Sequence, residues 1–310
     1  LVSSKVGVHG LDLYSLFTSM NAVLDYLDRV DPAAADVARV RYGRLTPWQK
    51  DPAAYGLAVL NGKYQSSESD VLAMLRDMLE KRAAYAESDP KRFFDATQNA
   101  RVVAAAEQYY RAMYYGAADS WNLRDRHMFE TLESLFTLHG PTAKGIVWAH
   151  NSHVGDARAT EMALHGELNI GQLCRQRFGD GACLVGFGTD HGSVVAAADW
   201  GEPMQTMRVR AAHRRSYEHV FHESGVAAFL LSLRSPRRRA VRDELLAGRL
   251  ERAIGVVYRP ETEIASHYLE ARLPEQFDEY IWFDETSAIL PLLGEMRPTA
   301  GLAETYPFGL

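Results

Sequence analysis

Cysteine is nearly absent from this chain: two residues, Cys174 and Cys183, in 310. That is too few for a disulfide scaffold, and neither lies in a Cys-x-x-Cys or zinc-ribbon spacing. Both are read as buried free thiols in a reducing cytoplasm. Long apolar runs are missing as well. None approaches the roughly 20 residues that a membrane helix needs, and no charged-then-apolar leader stands at the amino end, so no membrane partner is expected. Excess positive charge is lacking too, since the formal net charge is −6. Binding phosphate backbones needs a concentrated positive field, so nucleic acid is not an expected partner either. The one basic cluster, Arg234 with Arg237, Arg238, Arg239 and Arg242, has no interleaved aromatics for base stacking and reads as a solvated face. Two catalytic signatures are absent. There is no G-x-S-x-G nucleophile elbow, which leaves Ser152 a weak nucleophile, and no H-E-x-x-H helix.

What is present is a hydrophobic content of 47%, enough to bury a full core in a chain of this length. The stretch Gly145-Ile146-Val147-Trp148-Ala149 is an unbroken apolar run that ends abruptly in His150-Asn151-Ser152-His153. It predicts a strand buried on both faces that opens into a polar loop, as in parallel sheets covered by helices. Loops at the carboxyl ends of such strands line the ligand crevice. The expected fold is therefore α/β, with a mostly parallel central sheet flanked by helices and a helical layer or cap.

Along the chain, Val6 to Leu11 predicts a short strand, followed by a helix whose stripe is Leu13, Leu16, Phe17, Met20, Val23, Leu24 and Leu27. Asp31-Pro32 supplies a cap and first-turn proline for the next helix. Residues 42–67, punctuated by glycine and proline, read as a loop-rich connection. Ser67 to Asp70 has capping-box spacing. A helix from about Pro90 to Tyr115 carries an aromatic stripe that suits a core better than a binding site. Further helices are expected at about Trp121 to His139 and Asn169 to Phe178. Apolar runs at Cys183 to Gly188 and Ser193 to Ala198 are separated by Thr189-Asp190-His191-Gly192, which reads as a hairpin turn and not as a phosphate loop. Strands are also expected at Ala227 to Leu233, Ala253 to Tyr258 and Glu279 to Phe283, with short helices at Tyr217 to Ser224 and Ser235 to Gly248. The domain reading is one α/β hydrolase-like domain over 1–293, with the helical layer at 60–118 and a tail at 294–310. The first residue is Leu1, and the interior character of the first strand predicts that the amino end of a larger protein is missing.

Three arrangements could carry chemistry. A histidine titrates near neutrality, and proton transfer by one is worth about 10²- to 10⁴-fold in rate. His150 and His153 bracket a strand's carboxyl end, so metal-free acid/base work is the first reading. A metal held by the two histidines and a carboxylate is an alternative. Arg124 lies on the same helix face as Met128, Leu132, Leu135 and Phe136. A buried guanidinium must be paired or face an anion, so Arg124 implies either an ion pair, with Asp125 or another carboxylate, or an anionic ligand. The spacing favours the pair.

With these residues in view, the chain resembles the erythromycin esterase family, which includes proteins labelled succinoglycan biosynthesis proteins. The matching motifs are Gly10-Leu11-Asp12-Leu13-Tyr14-Ser15, Asn122-Leu123-Arg124-Asp125-Arg126-His127-Met128 and Val147-Trp148-Ala149-His150-Asn151-Ser152-His153. Tyr258-Arg259-Pro260-Glu261 with Ser266-His267-Tyr268 matches as well. The resemblance implies a hydrolase of carboxylic esters, with macrolide lactone opening as the best-known activity and no cofactor. It places His150 and His153 as active-site histidines and Arg124 as the cationic group, with Asn151, Asp125, Asp12 and His9 as positioning candidates. The family's water-activating histidine sits in an amino-terminal G-E-x-x-H motif, which does not occur here, so the base is expected from an absent segment or a partner chain. A non-catalytic small-molecule-binding module is the alternative of a different class.

Overall fold

Asp31-Pro32, Asp51-Pro52 and Asp89-Pro90 each start a helix in the same way. The aspartate side chain accepts the backbone N–H three residues on, from Ala34, Ala54 and Arg92 respectively, and the proline takes the first helical position, where its missing N–H costs nothing. In the computed structural model, which describes residues 7–290, these helices belong to the first of two compact units dividing at Lys144 and Gly145. The tail expected at 294–310 lies outside the described residues, as does Val6.

The first unit is helical: α1 (Leu16–Val30), α2 (Pro32–Gly43), α3 (Pro52–Leu60), α4 (Glu68–Glu80), α5 (Arg82–Ser88), α6 (Pro90–Ala112) and α7 (Ala117–His139). The α1 stripe is buried as expected, with Leu16, Phe17, Met20, Val23 and Leu27 facing Val103, Ala106, Tyr109 and Tyr110 of α6 in one core. Two expectations fail here. Residues 7–12 form no strand, and Val8 is 96% exposed. The supposed loop at 42–67 contains α3. Pro52 is a first-turn residue there, and Gly56 is a contact residue, since a Cβ on it would lie 1.8 Å from the Tyr110 carbonyl oxygen. Ser67 stands at the start of α4, but its side chain makes no capping bond.

The second unit holds the sheet. Strands β1 (Val185–Ala196), β2 (Gln205–Val209), β3 (Ala228–Ser232), β4 (Arg249–Arg252), β5 (Tyr268–Ala271) and β6 (Glu279–Thr286) form a four-stranded sheet ordered β2-β1-β6-β3 and a two-stranded β4-β5 ribbon. The fold is α/β, but the sheet is mixed, not mostly parallel: β1 and β6 run parallel, while β1-β2 and β3-β6 are antiparallel. The short connection from β1 to β2 suits an antiparallel pair, and the long excursion from β1 to β6 permits a parallel one. One sheet face packs Tyr280 and Trp282 against Tyr217 and Phe221 of α10 (Tyr217–His222), with Leu273 and Phe277 completing the core.

The run from Gly145 to Ala149 pairs with no strand among the described residues, and Ile146 and Trp148 are 93% and 89% exposed. Hydrophobicity here does not report burial. The expected hairpin at Thr189 to Gly192 is also absent, because β1 runs straight through it. Residues 185–192 pair with β6 and residues 192–196 with β2, so the strand changes neighbour at Gly192. That glycine has φ +123°, and a Cβ there would sit 2.0 Å from the Thr286 carbonyl oxygen. Gly192→Ala is expected to cost about 2–3 kcal/mol in a urea melt, from backbone strain plus displacement of β6. An unchanged midpoint would contradict this. The predicted strand at Ala253 to Tyr258 is not formed, and β4 ends just before it. Cys183 is exposed, not buried.

Candidate active site

His150 begins a one-turn helix, α8 (Asn151–Val154), and caps it with its own ring: Nδ1 accepts the Ser152 N–H at 3.2 Å and lies 2.9 Å from Ser152 Oγ. A backbone N–H can only donate, so Nδ1 is the acceptor nitrogen. Nε2 therefore carries the proton and donates it to the Ile254 carbonyl at 2.9 Å. Burial is the main reason that the ring's pKa falls to about 4, with neighbouring His153 adding to the drop and the Ile254 bond opposing it. Near neutral pH, His150 is an uncharged imidazole with both nitrogens engaged. His153 is buried on the same turn.

Asn151 anchors this loop to the sheet. Its Nδ2 donates to the Phe187 carbonyl at 2.8 Å, and its Oδ1 accepts the Phe187 N–H at 3.1 Å, so the side-chain amide occupies a ladder position beside β1. The same Nδ2 lies 3.1 Å from Oε1 of Glu251 on β4. Asn169, the cap of α9 (Ile170–Phe178), donates to the Ser152 carbonyl at 2.8 Å. The loop is thus tied at three consecutive residues.

Glu251 is a residue that sequence reasoning missed. It is 1% exposed beside Glu218 of α10, also 1% exposed. Burial, then repulsion from Glu218, raises the Glu251 pKa to about 8, and burial raises Glu218 as well. Two like charges in a dry site cannot both persist, so Glu251 holds a proton near neutral pH. Nothing in Leu250-Glu251-Arg252 distinguishes it from a solvated strand.

In the helical unit, Arg124 on α7 is paired. Its Nε lies 3.0 and 3.2 Å from the two Asp12 oxygens, its Nη2 is 2.7 Å from Oδ2, and its guanidinium carbon sits 4.8 Å from the centre of the Tyr14 ring. The ion pair expected from spacing is present, with Asp12 as a partner and Asp125 fully buried on the same helix. His9 is elsewhere, against His139 at 5.7 Å between ring centres. His139 lies 15 residues, or about 22 Å, along α7 from Arg124. One turn beyond Arg124 is His127, whose pKa burial lowers to about 4. It lines a cleft of about 630 Å³ between α6 and α7, with Asp119, Asn122, Arg126 and Glu130. No helix among the described residues is long and apolar enough to cross a membrane.

A family model described as erythromycin esterase matches residues 2–286. The fold is similar to that of a protein from Bacillus cereus, with TM-score 0.76 and 19% identity, covering 92% of this chain and 67% of that one. It is also similar to a succinoglycan biosynthesis protein, at TM-score 0.72 and 18% identity, covering 92% and 66%. A histidine-to-asparagine mutant of the erythromycin esterase EreC in its open conformation matches at TM-score 0.64 and 14% identity, covering 90% and 68%. The chain thus spans about two thirds of the length of these structures.

Proposed function

We propose that this chain, which belongs to the erythromycin esterase family, takes part in hydrolysing carboxylic esters or macrolactones by metal-independent acid/base activation of water, with the His150–His153 loop at the reacting centre. The observation that carries this reading is the fixing of that loop: His150, Asn151 and Ser152 each have set partners, which leaves little to reorganise when charge develops on a substrate. His150 is a neutral, oriented imidazole that holds the turn. His153, on that turn, polarises or protonates the ester carbonyl. Arg124 stabilises an oxyanion or holds a carboxylate, which requires its Asp12 contact to be shared or exchanged. Asn151, Asp125 and Asp12 position these groups or the substrate. The general base is the histidine of a G-E-x-x-H motif contributed from outside these 310 residues.

The test is ester turnover by the chain with a chromogenic p-nitrophenyl ester. Residual hydrolysis is expected to fall about 10²- to 10⁴-fold in His153→Asn, with circular dichroism unchanged. Hydrolysis that survives loss of both His150 and His153 would sink the assignment. A second reading, a small-molecule-binding module without turnover, is favoured by the commitment of both His150 nitrogens and by the Asp12 clasp on Arg124. Tight binding of a carboxylate with no hydrolysis of the matching ester would establish it.

A further inference from the structure

At the far end of the β1-β6 pair, the register sets Thr189 beside Phe283 and His191 beside Glu285, which places Asp190 next to Asp284 on neighbouring strands. Adjacent carboxylates in a parallel pair point to the same side and repel each other. Their ion-pair partners among the described residues are histidines. His191 Nδ1 is 2.9 Å from Asp190 Oδ2, and His222 Nδ1, at the end of α10, is 2.7 Å from Asp284 Oδ1 and 3.7 Å from Asp190 Oδ2. The ring nitrogens of histidine and the oxygens of a carboxylate are also common ligands of a metal ion. Asp190 is itself 2% exposed, with its other oxygen accepting the Ala212 N–H, whereas the rings of His191 and His222 keep an open side, 38% and 41% exposed.

We propose that Asp190, His191 and His222 form a binding site for a divalent transition-metal cation of the zinc class, with Asp284 as a fourth ligand or as the carboxylate that orients His222. One ligand atom from each of the first three residues lies within 4.8 Å of the others. Ligand atoms about 2.0–2.2 Å from a tetrahedral ion are about 3.3–3.6 Å apart, inside the spread seen here, so small side-chain rotations close the site. Two imidazoles favour a borderline-soft ion over calcium or magnesium, and two carboxylates match its charge. A carboxylate hydrogen-bonded to a ligating histidine is the usual way that its tautomer is fixed. Three elements meet here, so a bound ion would staple α10 to β1 and β6. It would also explain why the polar Thr189-Asp190-His191-Gly192 quartet sits inside a strand. The site is separate from the His150–His153 loop and does not depend on the esterase reading.

The experiment is calorimetric titration of untagged, chelator-stripped protein with zinc chloride, backed by cobalt(II) absorption and thermal melts. One equivalent is expected to bind at micromolar or tighter affinity, with a tetrahedral cobalt spectrum and a melting temperature raised by several degrees. His191→Gln with His222→Gln should weaken binding at least 100-fold, and Asp284→Asn about 10- to 100-fold. Both rings are partly exposed, so these variants should fold, and their metal-free melts check this. His150→Asn with His153→Asn should leave affinity unchanged. The proposal is overturned by no binding at 100-fold molar excess, by binding that persists in folded His191→Gln/His222→Gln protein, or by binding lost only with His150 and His153.

Discussion

Replacing Asp278 with alanine is expected to destabilise the sheet unit by about 3–5 kcal/mol, read as a lower urea midpoint. Asp278 immediately precedes β6 and is 3% exposed. One oxygen accepts the Leu184 N–H at 2.6 Å, and the other accepts from Arg175 Nη1 at 2.8 Å and from Arg234 Nε. Its backbone N–H also donates to the Leu184 carbonyl, and its carbonyl accepts from Leu233. The carboxylate therefore holds together the entries to β1 and β6 and the exit from β3. Removing it strands a buried N–H and leaves two guanidiniums facing each other without a counter-ion, which costs more than the pair itself contributes. Asp278→Asn keeps an acceptor for Leu184 and should fall between the two. An alanine variant within 1 kcal/mol of the unaltered protein would show that the cluster is solvated in practice. Arg234, read from sequence as part of a solvated basic face, is thus a structural ligand that also donates to the Ala182 carbonyl at 2.8 Å.

Glu251→Gln should change how stability depends on pH. The folded chain holds a proton on Glu251 up to pH about 8, while the unfolded chain releases it near the ordinary glutamate value of 4.5. Below pH 4.5 both states are protonated and the residue adds no pH dependence. Between about 4.5 and 8 the unfolded state binds fewer protons, so stability falls as pH rises; above 8 the loss is complete and amounts to several kcal/mol. Glutamine is neutral throughout and keeps an oxygen for Asn151. Across that window the variant should lose a slope of up to about 1.4 kcal/mol per pH unit and become the more stable protein at pH 8. Glu218, raised in the same direction by burial, leaves a residual slope. Urea melts at half-unit steps from pH 4.5 to 8.5 measure it, and parallel profiles for the two proteins would refute the assignment.

Legibility in the sequence followed locality. The Asp31-Pro32 helix start, the α1 stripe and the anomaly of Arg124 could all be read, because each is a matter of residues a few turns apart at most. The partner of Arg124, Asp12, is 112 positions away and spacing cannot reach it. Gly56 and Pro52 misled because a breaker at a helix start or at a helix contact looks the same as one in a loop. The apolar run at 145–149 misled for the opposite reason, since Ile146 and Trp148 are hydrophobic without being covered. In β1 the polar quartet read as a turn because a strand that changes neighbours midway has no periodic signature. Glu251 was invisible because its character is set by Glu218, Asn151 and its own burial, not by its neighbours in the chain.

That change of neighbours leaves the first half of β1 with β6 on one side and, among the described residues, no strand on the other. An open edge with a half-exposed phenylalanine, Phe187 at 46%, is the kind of template on which chains join and aggregate. Asn151 blocks it by satisfying the N–H and C=O of Phe187 with one side chain. Amide exchange at Phe187 therefore reports the docking of the histidine loop, and a chain that loosens that loop also unveils an adhesive edge. One asparagine thus both covers the edge and anchors the histidine loop.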